Sequence, residues 1–280
     1  MKLSLKTNKP NIKPVKSLGQ NFLTDSNIID KIIGSLNIRK NDSIIEIGPG
    51  TGALTHKLVE FGNPLILIEI DSRSVNYLTK QFVNRNNVHI FHQDFLKFDF
   101  NKLNAENIKI IGNLPYYITS QILFKISDHS DIFDECVFTV QKEVAERITA
   151  IPGNKNYGFL TVVVNYFSKA EKLFNVKPAA FMPPPHVMSS VIRLKTKNEI
   201  PKYPEKDKFF EMVKAAFSMR RKKLSNALKS YISLNCRYDK NELTEKDKTH
   251  NNYLSKRAEE LSLQDFQNLY KLIKFEDNSK

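Results

Sequence analysis

Cysteine is almost missing from this chain: Cys136 and Cys236 stand alone among 280 residues, far apart in sequence. That excludes a disulfide framework and any zinc site built on paired cysteines. Both thiols are expected to be inert, and no metal is expected. Long apolar runs are also lacking, and none approaches the ~20 residues of a membrane-spanning helix. Acidic residues are missing from the first 16 positions, which carry Lys2, Lys6, Lys9, Lys13 and Lys16. This segment has neither the apolar core of a secretory signal nor the arginines of a transit peptide. It reads as a basic flexible tail, residues 1–16, on a cytoplasmic, monomeric protein. Internal repeats are absent, as is the P-loop pattern ending in Gly-Lys-Ser/Thr.

What is present is positive charge. The formal net charge of +13 favours a polyanionic partner. The excess clusters: residues 195–223 hold ten basic side chains against four acidic ones and end in Arg220-Arg221-Lys222-Lys223. Those last four are the candidate nucleic-acid contacts.

Short apolar runs alternate with amphipathic segments, which predicts an α/β fold around a mostly parallel, Rossmann-like sheet. Strands are expected at Ser43–Ile47, Leu65–Ile70, Val88–Phe91, Ile108–Gly112, Glu135–Val140, Glu171–Val176 and Met188–Lys195. Helices are expected near 24–36, 53–61, 72–83, 117–127, 142–150 and 157–167, with Asp25 or Ser26 capping the first. Pro201 and Pro204 punctuate a linker, after which the pattern is helical at 206–217, 220–231 and 262–274. The polar stretch Tyr238–Asn252 reads as a loop. The expected division is a sheet domain over 17–198 and a smaller helical domain over 199–280.

Gly48-Pro49-Gly50-Thr51-Gly52 follows the first long strand. Glycines there let the backbone turn sharply and admit a ligand without a Cβ in the way, while helix-start amides face it. Glu69 ends the next strand and can accept hydrogen bonds from both hydroxyls of a ribose. Asp71 beside it is better placed as the N-cap of the next helix. Asp94 follows the third strand and can accept from an adenine amine. Dinucleotide dehydrogenases share the turn and the first acid but do not require the second. No pyrophosphate-neutralising arginine stands near the turn. S-adenosylmethionine therefore fits better than NAD.

Asn113-Leu114-Pro115-Tyr116 follows the fourth strand, at the carboxyl edge where open α/β sheets place ligands. An adenine N6 amine is a poor nucleophile because its lone pair is delocalised into the ring. The Asn113 side-chain oxygen and the Leu114 carbonyl can hold its two hydrogens out of plane and free that pair. Pro115 stiffens the loop. Tyr116 can stack on the base and stabilise charge developing on nitrogen. No general base is required, because the product ammonium is acidic enough to lose its proton to water. Phe181, opening Phe181-Met182-Pro183-Pro184-Pro185-His186-Val187, is expected against the second face of an extruded base. His186 is expected to touch phosphate or solvent.

Together these residues, with Leu18-Gly19-Gln20-Asn21-Phe22-Leu23, resemble the ribosomal RNA adenine N6-dimethyltransferase family, in its small-subunit branch, over nearly the whole chain. The resemblance implies that Asn21 and Leu23 lie in a lid over S-adenosylmethionine. It implies that Gly48, Glu69, Asp94 and Asn113 complete the cofactor site beside Gly50. It further implies dimethylation of two adjacent adenosines in the hairpin loop near the 3′ end of small-subunit rRNA, within a pre-30S or 30S particle.

Two alternatives remain. Erm-type large-subunit enzymes share fold, cofactor motif and chemistry, but usually carry isoleucine where Leu114 stands. The segment Ala216–Asn226 resembles the small-subunit branch instead. Small departures occur at His186, where the family often has lysine, and at Lys223, where it often has threonine. The second alternative is a non-catalytic ribosome-assembly factor on the same fold.

Overall fold

The computed structural model describes residues 12–103, 107–199, 206–236 and 240–273. Residues 1–11 of the expected tail, Pro201 and Pro204 of the expected linker, and Tyr238 and Asp239 lie outside them.

Nine strands form in chain order: β1 (Phe22–Leu23), β2 (Ser43–Ile47), β3 (Leu65–Glu69), β4 (Val88–His92), β5 (Ile108–Asn113), β6 (Phe133–Gln141), β7 (Ser168–Val176), β8 (Phe181–Met182) and β9 (Ser189–Thr196). Seven make one sheet in the order β4-β3-β2-β5-β6-β9-β7, and β1 pairs with β8 separately. The pairs β2–β3, β3–β4, β2–β5 and β5–β6 are parallel, and β6–β9 is antiparallel. Every residue of β2 and β3 is buried, as continuous apolar runs in a parallel sheet require. From β2 the chain builds outward through β3 and β4, then returns to lay β5 and β6 on the other side. The order therefore reverses between β2 and β5, and ligands of open α/β sheets sit in the crevice at such a reversal.

The helices are α1 (Ser26–Gly34), α2 (Thr55–Leu58), α3 (Ser72–Gln81), α4 (Thr119–Asp128), α5 (Lys142–Ile148), α6 (Phe159–Phe167), α7 (Lys206–Ser218), α8 (Leu224–Ala227), α9 (Lys229–Asn235), α10 (Lys240–His250) and α11 (Leu263–Ile273). Asp25 caps α1, its side chain accepting from Asn27 N and Ile28 N. Asp71 caps α3, accepting from Arg73 N. No helix among the described residues is long and apolar enough to cross a membrane.

Packing divides the chain into two units. The first takes the described residues up to 145 together with 171–196, and the second takes 146–170 together with the described residues from 197 onward. The expected unbroken domain over 17–198 is thereby corrected: residues 146–170, which contain α6, pack with the C-terminal helices. The reason is aromatic. Tyr166 on α6 meets the ring of Phe210 on α7 at 5.2 Å between centroids, and Tyr157 meets Phe217 at 6.0 Å. The expected loop at Tyr238–Asn252 is also corrected, since α10 occupies residues 240–250. Leu243 and Asp247 are its buried side chains. The Asp247 carboxylate accepts from Tyr253 N and Leu254 N, both at 2.8 Å, so a polar helix is tied down by one buried acid.

At the amino ends of the central strands, Lys109 on β5 is buried among Asp42, Asp134 and Glu135 at 3.4, 3.5 and 3.2 Å. Its ammonium also donates to Asn37 O. This closed set of charges lies at the opposite strand ends from the glycine turn. It holds β2, β5 and β6 in register.

Candidate active site

Register brings the two key motifs together. Ile47 stands opposite Gly112 across β2 and β5, so Gly48 and Asn113 leave neighbouring strands at the same level. The strands can approach there because residue 112 is glycine: an added Cβ would sit 2.8 Å from Ile47 O. Gly50 has φ +55°, and an added Cβ would meet the Phe22 ring at 2.8 Å. A Cβ on Gly48 would meet nothing within 4 Å and would project into open space.

That space is a cavity of ≈ 340 Å³ at the carboxyl ends of β2, β3 and β5. Its wall includes Asn21, Gly48, Gly50, Glu69, Asp94, Asn113, Leu114 and Tyr116. Two expected residues are absent from it. Leu23 is 5% exposed and Phe181 2%, both packed in the core with Ile29 and Ala180. Strand pairing explains both positions, since Leu23 on β1 stands opposite Phe181 on β8 and both rows turn inward. The side chains of Leu23 and Phe181 therefore belong to the core, and their expected contacts with cofactor and base stand as expectations.

Glu69 is buried and holds the turn: Oε2 accepts from Gly50 N at 2.8 Å and Oε1 from Asp71 N at 2.9 Å. Burial pushes its carboxyl up from the usual range, and those two N–H groups pull it back. Each oxygen keeps a second lone pair, which suits a vicinal diol. Asp94 Oδ1 accepts from Leu96 N at 2.9 Å. Ile70, Phe95 and Leu96 give the same region apolar walls. None of these three is marked in the sequence, because a lone apolar residue in a loop carries no distinguishing pattern. Glu46, two residues before Gly48, is likewise unmarked in the sequence. It is buried, accepts from Thr55 Oγ1 at 2.7 Å, and is pushed up to about 8 by burial.

At the other end, Asn113 Nδ2 donates to Asn21 O at 2.8 Å. Its Oδ1 is left as an acceptor. Leu114 N is spent on Thr139 O at 3.0 Å. The Tyr116 hydroxyl is 2.7 Å from Ser189 Oγ, and burial raises its pKa. Tyr117, 60% exposed, stands at the rim. The wall thus combines a turn open to a ligand, two carboxylates and an oriented amide. Among the described residues no group of three or more His, Cys, Asp or Glu could hold a metal ion. Cys136 is buried, and burial pushes its thiol up.

In the second unit, Arg221, Lys222 and Lys223 are exposed. Arg220 is engaged: Nε donates to Glu259 Oε2 at 2.7 Å and a terminal nitrogen donates to Lys155 O. Gly153 N donates to Glu259 O at 2.7 Å. Arg220 is thus a strut beneath the loop at 153–155.

A family model described as ribosomal RNA adenine dimethylase matches residues 11–273. The Ribosomal RNA small subunit methyltransferase A of Francisella tularensis subsp. novicida (strain U112) is 45% identical over 223 residues, 79% of this chain and 85% of the relative. The crystal structure of a dimethyladenosine transferase from Plasmodium falciparum superposes with a TM-score of 0.77 at 31% identity, covering 89% of this chain and 95% of that one. The 23S rRNA methyltransferase ErmE has a TM-score of 0.69 at 23% identity, covering 90% and 99%, and so shares the fold.

Proposed function

The chain belongs to the ribosomal RNA adenine dimethylase family, and from that premise we propose that its cavity carries out both methylations of two adjacent adenosines in the 3′-terminal hairpin loop of small-subunit rRNA. The protein is an rRNA adenine dimethyltransferase of the small subunit, with S-adenosylmethionine as methyl donor. When bound, the donor supplies a methyl group on a positively charged sulfur, an electrophile that needs only a lone pair.

The residues fit such a donor. The Gly48–Gly50 turn leaves room where side chains would intrude. Glu69 offers two acceptors to a ribose, and Asp94 offers one to an adenine amine. Leu18 to Phe22 line the same cavity from the N-terminal side.

One observation carries the chemical reading: the Asn113–Asn21 bond sets the amide so that its oxygen stays free at the end of β5. Leu114 gives its N–H to Thr139 and keeps its carbonyl for the substrate. Two acceptors for one amine draw the N6 hydrogens out of the ring plane, and the lone pair becomes available. Tyr116, held by Ser189, offers a ring face to the base. The rest is positioning and fixed electrostatics. A pocket serving both transfers must also accept an N6-monomethyl base.

Arg221, Lys222 and Lys223 are assigned to RNA backbone contacts in a pre-30S or 30S particle. The test is methyl incorporation from radiolabelled donor into unmethylated small and large subunits, with the labelled positions mapped. Label confined to two neighbouring adenosines of the small subunit supports the proposal. Label in large-subunit RNA would favour the Erm-type alternative, and salt-sensitive binding without label would favour an assembly factor.

A further inference from the structure

Between the glycine turn and Asn113, the segment Lys13–Asn21 is stitched to the rest of the first unit by side chains that the chemistry above does not use. Gln20 works at both ends of its amide. Its Oε1 accepts from Val15 N at 2.9 Å, and its Nε2 donates to Asp71 Oδ2 at 2.9 Å. Asp71 is held in turn by Arg73, whose Nε donates to Oδ1 at 2.9 Å and whose Nη2 is 2.5 Å from Oδ2. Arg73 Nη1 also donates to Lys13 O at 3.0 Å. The loop is closed internally, with Gly19 N donating to Lys16 O at 2.9 Å and Asn21 Nδ2 to Gly19 O at 3.2 Å.

We infer that Gln20 and Asp71 form a latch that positions the Asn21 carbonyl, and through it the side-chain amide of Asn113, so that Gln20 is a positioning residue for methyl transfer. The inference rests on the proposed role of Asn113. An amide can present oxygen or nitrogen to a substrate, and only an acceptor set against its Nδ2 makes the choice. That acceptor is a main-chain carbonyl on a segment that Gln20 ties to Asp71, beside the Arg73 tether at Lys13 and the pairing of β1 with β8. The Arg73 guanidinium beside Asp71 holds the carboxyl well below the usual carboxylate range, which keeps it an ionised acceptor for Gln20 even in mild acid. The acid expected merely to cap α3 therefore has a second task, tying α3 to the segment over the cavity.

The test uses the full chain with unmethylated small subunits. Gln20→Ala is expected to lower kcat by between about ten- and a hundredfold, the range a small misplacement of a reacting group produces. KM for the subunits and the thermal midpoint should stay near those of the parent. Trypsin cleavage after the exposed Lys16 should accelerate, because the loop opens more often. The decisive readout is the double variant Gln20→Ala with Asn113→Ala, in which adding Gln20→Ala should cost no further turnover. Additive losses, or a single-variant kcat within about twofold of the parent, would overturn the latch. Were Gln20→Ala to unfold, Asp71→Ser keeps one oxygen to cap α3 but offers no second oxygen to Gln20 Nε2, and should lower kcat in the same direction. An unchanged kcat there also overturns it. Near-normal turnover of Asn113→Ala alone would instead refute the role of Asn113, a failure these arms keep separate.

Discussion

The main-chain N–H of Gly50 donates to Glu69 Oε2 at 2.8 Å, so the glycine turn and the acid 19 residues later are one construction. The second oxygen of that carboxylate accepts from Asp71 N. Both acceptors are in use before any ribose arrives, and the side chain is buried.

Glu69→Gln should therefore weaken the cofactor more than its small change in shape suggests. A carboxamide has one acceptor and one donor, so one of the two N–H groups would face an NH₂. The amide also turns one acceptor for the ribose hydroxyls into a donor, and leaving such a hydroxyl without its acceptor costs ~1–3 kcal/mol, roughly 5- to 150-fold in affinity. Calorimetric titration with S-adenosylmethionine checks this, alongside RNA binding, which should be unaffected. An unchanged dissociation constant would refute the assignment.

Asn113→Ala removes the proposed acceptor and leaves the fold, since Asn113 is only half-buried. Turnover on unmethylated small subunits should drop by about 10²- to 10³-fold, the scale of losing one preorganised polar group in a site. Particle binding should survive. Asn113→Asp is equally informative: its carboxylate would face Asn21 O with no hydrogen to give, so it should not restore activity. Near-normal rates in either variant would remove Asn113 from the chemistry.

Much of this site was legible in the sequence because parallel strands write long apolar runs and their carboxyl ends carry the ligand residues. The strand at Ser43–Ile47 is found where the apolar run placed it. What stayed hidden depended on pairing across long separations. Leu23 and Phe181 carry no mark that they stand opposite each other and turn inward. The polar helix α10 has almost no apolar stripe, and its anchor is a single aspartate. Gln20 lies within the run Leu18–Leu23, yet only three-dimensional structure reveals that its partner is Asp71.

The basic run divides by what each side chain already touches. Arg220 is held by Glu259 and Lys155 O, whereas Arg221 and Lys222 are exposed. Replacing Arg221 and Lys222 with alanine should lower the slope of log K against log salt by about 0.7–0.9 for each phosphate no longer neutralised. Arg220→Ala should leave that slope nearly unchanged and cost stability of about 1 kcal/mol or less, since the pair is partly exposed. Filter binding to small subunits across a salt series, with unfolding curves, separates the two. A slope change for Arg220→Ala equal to the others would refute the strut.

Glu46 supplies a pH test that does not touch catalysis. Its carboxyl is pushed from the ordinary 4.5 up to about 8, first by burial, then by the neighbouring Glu69 charge, while Thr55 opposes both. Below about 4.5 the group is protonated in folded and unfolded chains alike and favours neither. As pH rises from about 4.5 to 8, the unfolded chain releases the proton first, so the native state loses stability at up to ~1.4 kcal/mol per pH unit. Above about 8 both states are ionised and the penalty stops growing. Glu46→Gln cannot ionise and still accepts from Thr55. Its stability advantage over the parent should therefore widen between about pH 5 and pH 8 and then level off, read from denaturant midpoints at fixed slope. Comparing the two chains cancels the other titrating groups. A gap that stays constant across that interval would mean that Glu46 ionises normally inside the sheet, and that burial beside Glu69 does not perturb it.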